Sequence, residues 1–295
     1  MTTATAPAPH LGATALHGAR LSFPRLVRSE WIKMRSIRST VWCFAILFLL
    51  NIGFPALIAS VGHFTAPHGP ALTGDAAGHT AVEVVTLGVN FTSLVVAVLG
   101  VLIVTGEYST GMIRGTFTAD PGRLGALFAK ALVLAVATFV VSAVSTLIAL
   151  LLAHPILANN SVHFDLGDPK VLMPVIGASV YVTLLALLAF GIGTLVRTTA
   201  GGIAITLGVL LVAPIILQIV GGLLNADWPA NVNQLLPSSA GGQLFAYEAS
   251  QSGVVHAGDD SGHWVLNGWG GFGVLAAEVV AVGIAALALV KRRDA

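Results

Sequence analysis

VVTLGVNFTSLVVAVLGVLIVT, Val84 to Thr105, runs for 22 residues without a charge and passes directly into GEYSTGMIRG, Gly106 to Gly115. A helix needs about 20 mostly apolar residues to cross the hydrocarbon of a bilayer. The first string meets that length, and the second ends it with Gly106, Glu107 and, at Arg114, a cation. Five further runs match it: roughly Val41–Val61, Ala131–Ala153, Val171–Val196, Gly202–Leu224 and Gly268–Val290. The cations fall on alternate connections. Arg20, Arg25, Arg28, Lys33, Arg35 and Arg38 precede the first run. Arg114, Arg123 and Lys130 lie between the second and third, Arg197 between the fourth and fifth, and Lys291, Arg292 and Arg293 after the sixth. Only Lys170 falls on the other side. That bias is the positive-inside rule. It predicts an all-α polytopic membrane protein with six transmembrane helices and both termini in the cytoplasm.

Composition agrees. Charged residues make up 9% of the 295 and hydrophobic ones 56%, too few polar groups to coat a soluble fold of this length. The single Cys43 excludes an internal disulfide framework and a multi-cysteine metal site, and its place in the first apolar run predicts a buried, inert thiol. Residues 1–20 read as a flexible cytoplasmic tail, 21–40 as an interfacial helix, 41–290 as the six-helix domain and 291–295 as a basic cytoplasmic tail. The first apolar core is long enough to span and is expected to be retained rather than cleaved as a signal peptide.

Within the runs, Asn51, Pro55, Pro174, Pro214 and Gln218 interrupt regular apolar helix. A proline leaves a carbonyl without its usual donor and bends the helix, which membranes tolerate where neighbours satisfy the freed group. Ala277, Ala281 and Ala285 repeat every fourth residue in the last run, a spacing that lets helices approach closely, within or between subunits. Glu278 is the one formal charge near the middle of any run. Such a carboxyl is costly at mid-membrane and is expected to face the bundle interior, either protonated or hydrogen-bonded to groups such as Asn90 or Gln218.

The polar segments are short. Leu26 to Arg38 reads as a helix whose Val27, Trp31, Met34, Ile37 and Val41 fall near one face, with Arg28 and Arg35 off it and Arg38 snorkelling. Anionic lipid would add about 1 kcal/mol per basic residue near the surface. After the second run, Gly111 can end the helix, and Met112 to Thr118 is long enough for about two turns lying flat before the Asp120-Pro121-Gly122 turn. The connection from Asn225 to Asn267 carries Asp227, Glu248, Asp259 and Asp260 and no Lys or Arg, so it belongs outside; Asn233 to Phe245 reads as short helices at the outer surface. His256, Asp259, Asp260 and His263 have metal-capable side chains, but in a Gly-rich loop no metal site is expected of them. The chain has no phosphate loop, no H-E-x-x-H and no basic-aromatic constellation for nucleic acid.

Three stretches resemble the membrane subunit of ABC-type exporters of the type-2 permease class, especially actinobacterial drug-efflux or antibiotic-resistance-like permeases. Ser29 to Thr40 is similar to that family's amino-terminal elbow, with Glu30, Trp31, Lys33, Arg35 and Arg38 at the lipid interface. Glu107, Tyr108, Gly111, Met112, Ile113 and Arg114 resemble the segment after the second span, whose coupling helix contacts the ATPase. Leu236 to Gly241 is similar to the outer loop before the last span. The resemblance implies a non-catalytic subunit of the plasma membrane, paired with a second permease copy or homologue and two separate ATPase subunits that bind ATP and Mg. It also implies a path for hydrophobic or amphipathic cargo along the second and fifth spans, which nominates Asn90, Thr92, Ser93 and Gln218, with Glu278 added from its position. The alternatives are a secondary transporter driven by an ion gradient, which Glu278 permits, and a non-transporting membrane anchor.

Overall fold

A computed structural model describes residues 22–64, 70–112, 124–224, 226–247 and 266–293. Helix α1 covers Phe23–Ser36 and α2 Arg38–Val61; α3 is Gly74–Thr110, α4 Leu124–Asn159 and α5 Pro169–Val196. The fifth apolar run is broken: α6 is Thr199–Leu207, a π-helical turn occupies Gly208–Val212, and α7 is Ala213–Leu224. Short helices α8 (Trp228–Gln234) and α9 (Pro237–Gly242) and a 3-10 turn (Gln243–Phe245) precede α10, Gly268–Arg293. Among the described residues six helices, counting α6 to α7 as one, are long and apolar enough to cross a membrane.

The helices overrun the apolar runs. At 37 residues, α3 is ~55 Å long, against about 30 Å of hydrocarbon. It carries Asp75 at one end and Glu107 at the other, so both lie clear of the centre. Its stop is the one expected: Gly111, with φ 72°, caps it in the left-handed conformation that costs glycine least.

Packing centres on α3 and α5. Gly100 permits this, since a Cβ there would lie 2.4 Å from the Ala186 carbonyl oxygen and 2.8 Å from the Ala189 Cβ. Val96, Val101, Leu185 and Ala189 are fully buried in the seam. Helices α2 and α4 flank it, and α10 packs on α5 through Leu275 and Val282. Cys43 is half-buried against this core rather than buried. In contrast, α7 has no buried residue.

Two departures from the sequence expectation concern local structure. Leu72–Thr73 pairs in parallel with Val162–His163, so the fold is all-α apart from this two-residue ladder. The amino-terminal helix stops at Ser36, Ile37 is extended, and Arg38 opens α2. Arg38 therefore never interrupted the face of α1. That face is also rotated from the one expected: Glu30 and Met34 are buried and Val27 half-buried, whereas Trp31 and Ile37 are exposed. Burying Glu30 in place of Trp31 needs compensating cations, and α4 supplies one.

The proline breaks have separate solutions. Pro55 and Pro174 sit inside regular α-helix. Pro214 follows the π turn, where the Ala213 N–H donates to Gly208 five residues back. A wider turn just before a residue that lacks an N–H relieves the clash its ring would make with the carbonyl of Leu210.

After α7 the chain folds back. Gly221 faces Pro229, and Leu217 and Gln218 share a cleft with Asn233 and Gln234, so α8 runs antiparallel beside α7. Helix α9 reaches the π turn. Gly241 lies against Tyr181, about 18 Å along α5 from its start at 1.5 Å per residue. The segment then returns to Tyr247, whose hydroxyl donates to Asp75 at 3.4 Å.

Candidate functional site: a buried charge cluster beside the cation-rich connection

Four charges from three elements meet at the basic end of the bundle. Lys33 Nζ on α1 donates to Glu30 Oε1 at 2.8 Å and to Glu107 Oε1 on α3 at 3.1 Å. Lys130 Nζ on α4 donates to the same Glu107 oxygen at 2.8 Å and also to Glu30 Oε2. Glu30, Glu107 and Lys130 are each 5% exposed. Two acids and two cations leave the group neutral, the condition under which charges are tolerated in a low-dielectric interior. Burial works against the Lys33 charge. Its hydrogen bond to Glu30 and the negative charges of Glu107 and Glu30 outweigh burial and hold its pKa above the usual lysine value.

Local sequence explains how the four groups arrive. Glu30 and Lys33 are three apart on α1 and so share a face. Glu107 is in the last turn of α3, and Lys130 lies two turns into α4. These two helices flank residues 113–123, which join them. Ile113, Arg114 and the flat helix expected over Met112 to Thr118 fall there, outside the described residues, except Met112, which is exposed beside Gly111. Tyr108 extends the site, with the Arg197 guanidinium 5.3 Å from its ring centroid. Arg197 itself caps α5 with φ 59°.

The structure thus separates residues that sequence reasoning grouped. Of the elbow residues, Trp31, Arg35 and Arg38 are exposed, while Glu30 and Lys33 turn into the protein. Of the coupling residues, Glu107 is buried within the ion cluster rather than presented at the surface.

Nor do the proposed path residues form one wall. Thr92 is fully buried, donating to Asn51 Oδ1 at 3.1 Å, and Asn51 Nδ2 donates to Ser145 on α4 at 2.9 Å. Ser93 is buried and bonds the Asn90 carbonyl of its own helix. Asn90 and Gln218 are exposed. Glu278 is half-buried, and its Oε2 has no hydrogen-bond partner among the described residues. Ala277, Ala281 and Ala285 are exposed or nearly so along α10, so that small-residue face packs on nothing within the described subunit.

The opposite end carries the one cation that broke the charge rule. Lys170 Nζ lies 2.9 Å from Asp75 Oδ1, at the end where the two-residue ladder and Tyr247 also sit. His256, Asp259, Asp260 and His263 lie outside the described residues. The sequence singles out Glu30 and Glu107, but as interface and coupling residues rather than as members of one ion cluster; two signals set them apart. Glu30 is the sole acid in a run of cations before the first span, and Glu107 is the sole acid within several turns of the second span's end. Nothing local marked Lys130 as their partner, or Asn51 as the partner of Thr92 and Ser145.

No family model matches this chain, and no curated protein matches it.

Proposed function

We propose that this chain is the membrane-spanning permease subunit of an ATP-driven exporter, non-catalytic itself, and coupled through residues 107–114 to separate ATPase subunits that bind ATP and Mg. The observation that carries the reading is the four-charge cluster. It joins α1, the end of α3 and the start of α4, so the two helices that border the 113–123 connection and the amino-terminal helix form one mechanical unit. A partner pushing on that connection would move two spans and the elbow together. The segregation of cations to this end supports placing it, with both termini, in the cytoplasm, and the chain in the plasma membrane. Exposed Trp31, Arg35 and Arg38 on α1 and at the start of α2 suit contact with anionic lipid. The unburied α7 and the alanine face of α10 leave surface for a second permease copy.

The test is co-purification. Pulled from native membranes, the chain should bring down a soluble ATPase containing a phosphate loop, and Arg114→Glu should weaken that association. The purified chain alone should hydrolyse no ATP. ATPase activity from the isolated chain, or unaltered assembly and transport in the variant, would overturn the proposal.

One observation favours a second reading, transport driven by an ion gradient: Glu278 Oε2, in the last span, has no hydrogen-bond partner among the described residues. Transport that persists without ATP, collapses with the proton gradient and is lost in Glu278→Gln would establish it.

A further inference from the structure

Helices α5 and α10 pack on each other, but not along their whole length. At Gly191 they touch directly, since a Cβ there would lie 2.7 Å from Val282 Cγ1. Nearer the start of each helix the 3-10 turn stands between them. A Cβ at Gly177 on α5 would lie 1.8 Å from the Leu244 carbonyl oxygen, and one at Gly268 on α10 would lie 3.2 Å from that of Gln243. The turn wedges the two spans apart and leaves a cleft of about 280 Å³ beside it. Leu244 lies at its base, Met173, Ile176 and Val180 line the α5 side, and Trp269 and Phe272 line the α10 side. The three α5 residues recur at intervals of three and four, which puts them on one helix face. Met173, Ile176, Trp269 and Phe272 are exposed, so the cleft is open and continuous with the lipid-facing surface of both spans. Only Gln243 and Asn267 bring polar side chains to it, and no ionisable residue lines it among the described residues.

From these features we infer that the cleft holds one acyl chain of a bilayer phospholipid, taken sideways from the leaflet at the end where Asp75 and Lys170 sit. Depth fits that occupant. Val180, the deepest α5 residue of the cleft, lies ~16 Å along the helix from Pro169, close to half of the about 30 Å of hydrocarbon. The cleft therefore spans one leaflet and stops near the midplane. Size fits as well, since the volume falls just under the roughly 300 Å³ at which pockets for compact ligands begin, and it admits one chain rather than a broad ring system. Lipid tails are as apolar as leucine, so an apolar wall alone would not hold one chain in preference to the bulk. The cleft adds contact from α5, α10 and the turn at once, and these small dispersion gains sum along the chain. At the mouth, Asn267 Oδ1 already accepts from the Gly270 N–H at 2.7 Å, so the Gln243 amide is the group that donates to an ester carbonyl. With no charge in the lining, the site does not read the charge of the headgroup. The chain thereby replaces the helix contact that the turn displaced. Calling this leaflet the outer one rests on the proposed orientation; the binding itself requires neither ATP nor a partner.

The experiment uses the full chain in nanodiscs, released into the gas phase for native mass spectrometry. Once the bulk lipid is stripped, a phosphatidylcholine should stay bound to the chain, and nanodiscs of phosphatidylglycerol should leave the same number of lipids bound. Val180→Phe puts a ring into the cleft and should remove one bound lipid. Ile176→Trp narrows the cleft from an exposed wall position and should do the same without disturbing the interior. A phosphatidylcholine with a diazirine in its acyl chain then gives the position. Photolysis should place adducts on residues 173–180 and 268–272, and both variants should lose them. Adducts on the exposed α4 face at Val136, Val140 and Val144, which has no such cleft, should persist in every variant and report an intact fold. A lipid count that both variants leave unchanged, or a lipid retained from one headgroup and not the other, overturns the inference. So does an α4 face that labels while the cleft does not, because protein, from this chain or a second copy, would then fill the cleft in place of lipid. Failure here leaves the ATPase co-purification untouched, and failure of that co-purification leaves this binding measurement untouched.

Discussion

Glu107 accepts from both Lys33 and Lys130 through one oxygen, so it is the residue on which the cluster turns. Removing one member of a buried ion pair costs about 3–5 kcal/mol because it strands the other charge. Lys130→Met should therefore destabilise the chain by roughly that amount in thermal unfolding. Glu107→Gln with Lys130→Met restores neutrality, and the double variant should be more stable than Lys130→Met alone. Additive losses would show that the charges do not interact. The pH sign follows from Lys33. Its folded pKa is raised above the unfolded value, so its stabilisation is present below the ordinary 10.5 and is lost as pH rises through the folded value. Stability of the α1 contact, followed by Trp31 accessibility, should fall in that alkaline range, and Lys33→Met should remove that part of the fall. At mid-membrane, Asn51→Leu deletes the bonds to Thr92 and Ser145. The expected loss is about 0.6 kcal/mol per bond and at most about 1.7, as for other hydrogen bonds between membrane helices. None of these pairings could be read from local sequence. Lys130 and Glu30 are 100 positions apart, and Asn51 and Ser145 are 94 apart. Sequence spacing identifies partners only within a helix, as it does for Glu30 and Lys33.

At the scale of elements, the six spans were legible because a bilayer demands length and apolarity from each helix separately. The stop at Gly111 was legible for the same local reason. The overrun of α3 and α4 was not, since a helix outside the hydrocarbon needs no apolar run to continue. Short helices before the last span were expected, but their return along α7 to the depth of the π turn was not. That depth depends on glycines meeting partners far away in sequence. A Cβ at Gly177 would fall 1.8 Å from the Leu244 carbonyl oxygen, and one at Gly241 would fall 2.1 Å from the Tyr181 ring. Gly177→Leu should displace the 228–247 segment while leaving α5 helical, seen as faster protease cleavage within that segment. Gly273→Leu, where a Cβ has nothing within 4 Å, should not change the cleavage rate.

The whole molecule is polarised. One end holds the exposed arginines of α1 and α2, the buried cluster and Arg197; the other holds Asp75, Lys170, Tyr247 and the fold-back. Between them, α3 and α5 form a close-packed spine, while α7 and much of α10 stay unburied. The charge pattern made the polarity legible from sequence. The division into spine and periphery was not, because all six runs are similarly apolar and differ only in which small residues find a neighbour. Coupling to an ATPase at the basic end is the central claim. It is tested most directly by placing a photocrosslinking amino acid at Arg114 in native membranes and identifying what it captures. The account predicts an adduct with a soluble ATPase that carries a phosphate loop. Capture solely of proteins exposed on the outer face of the membrane would contradict it.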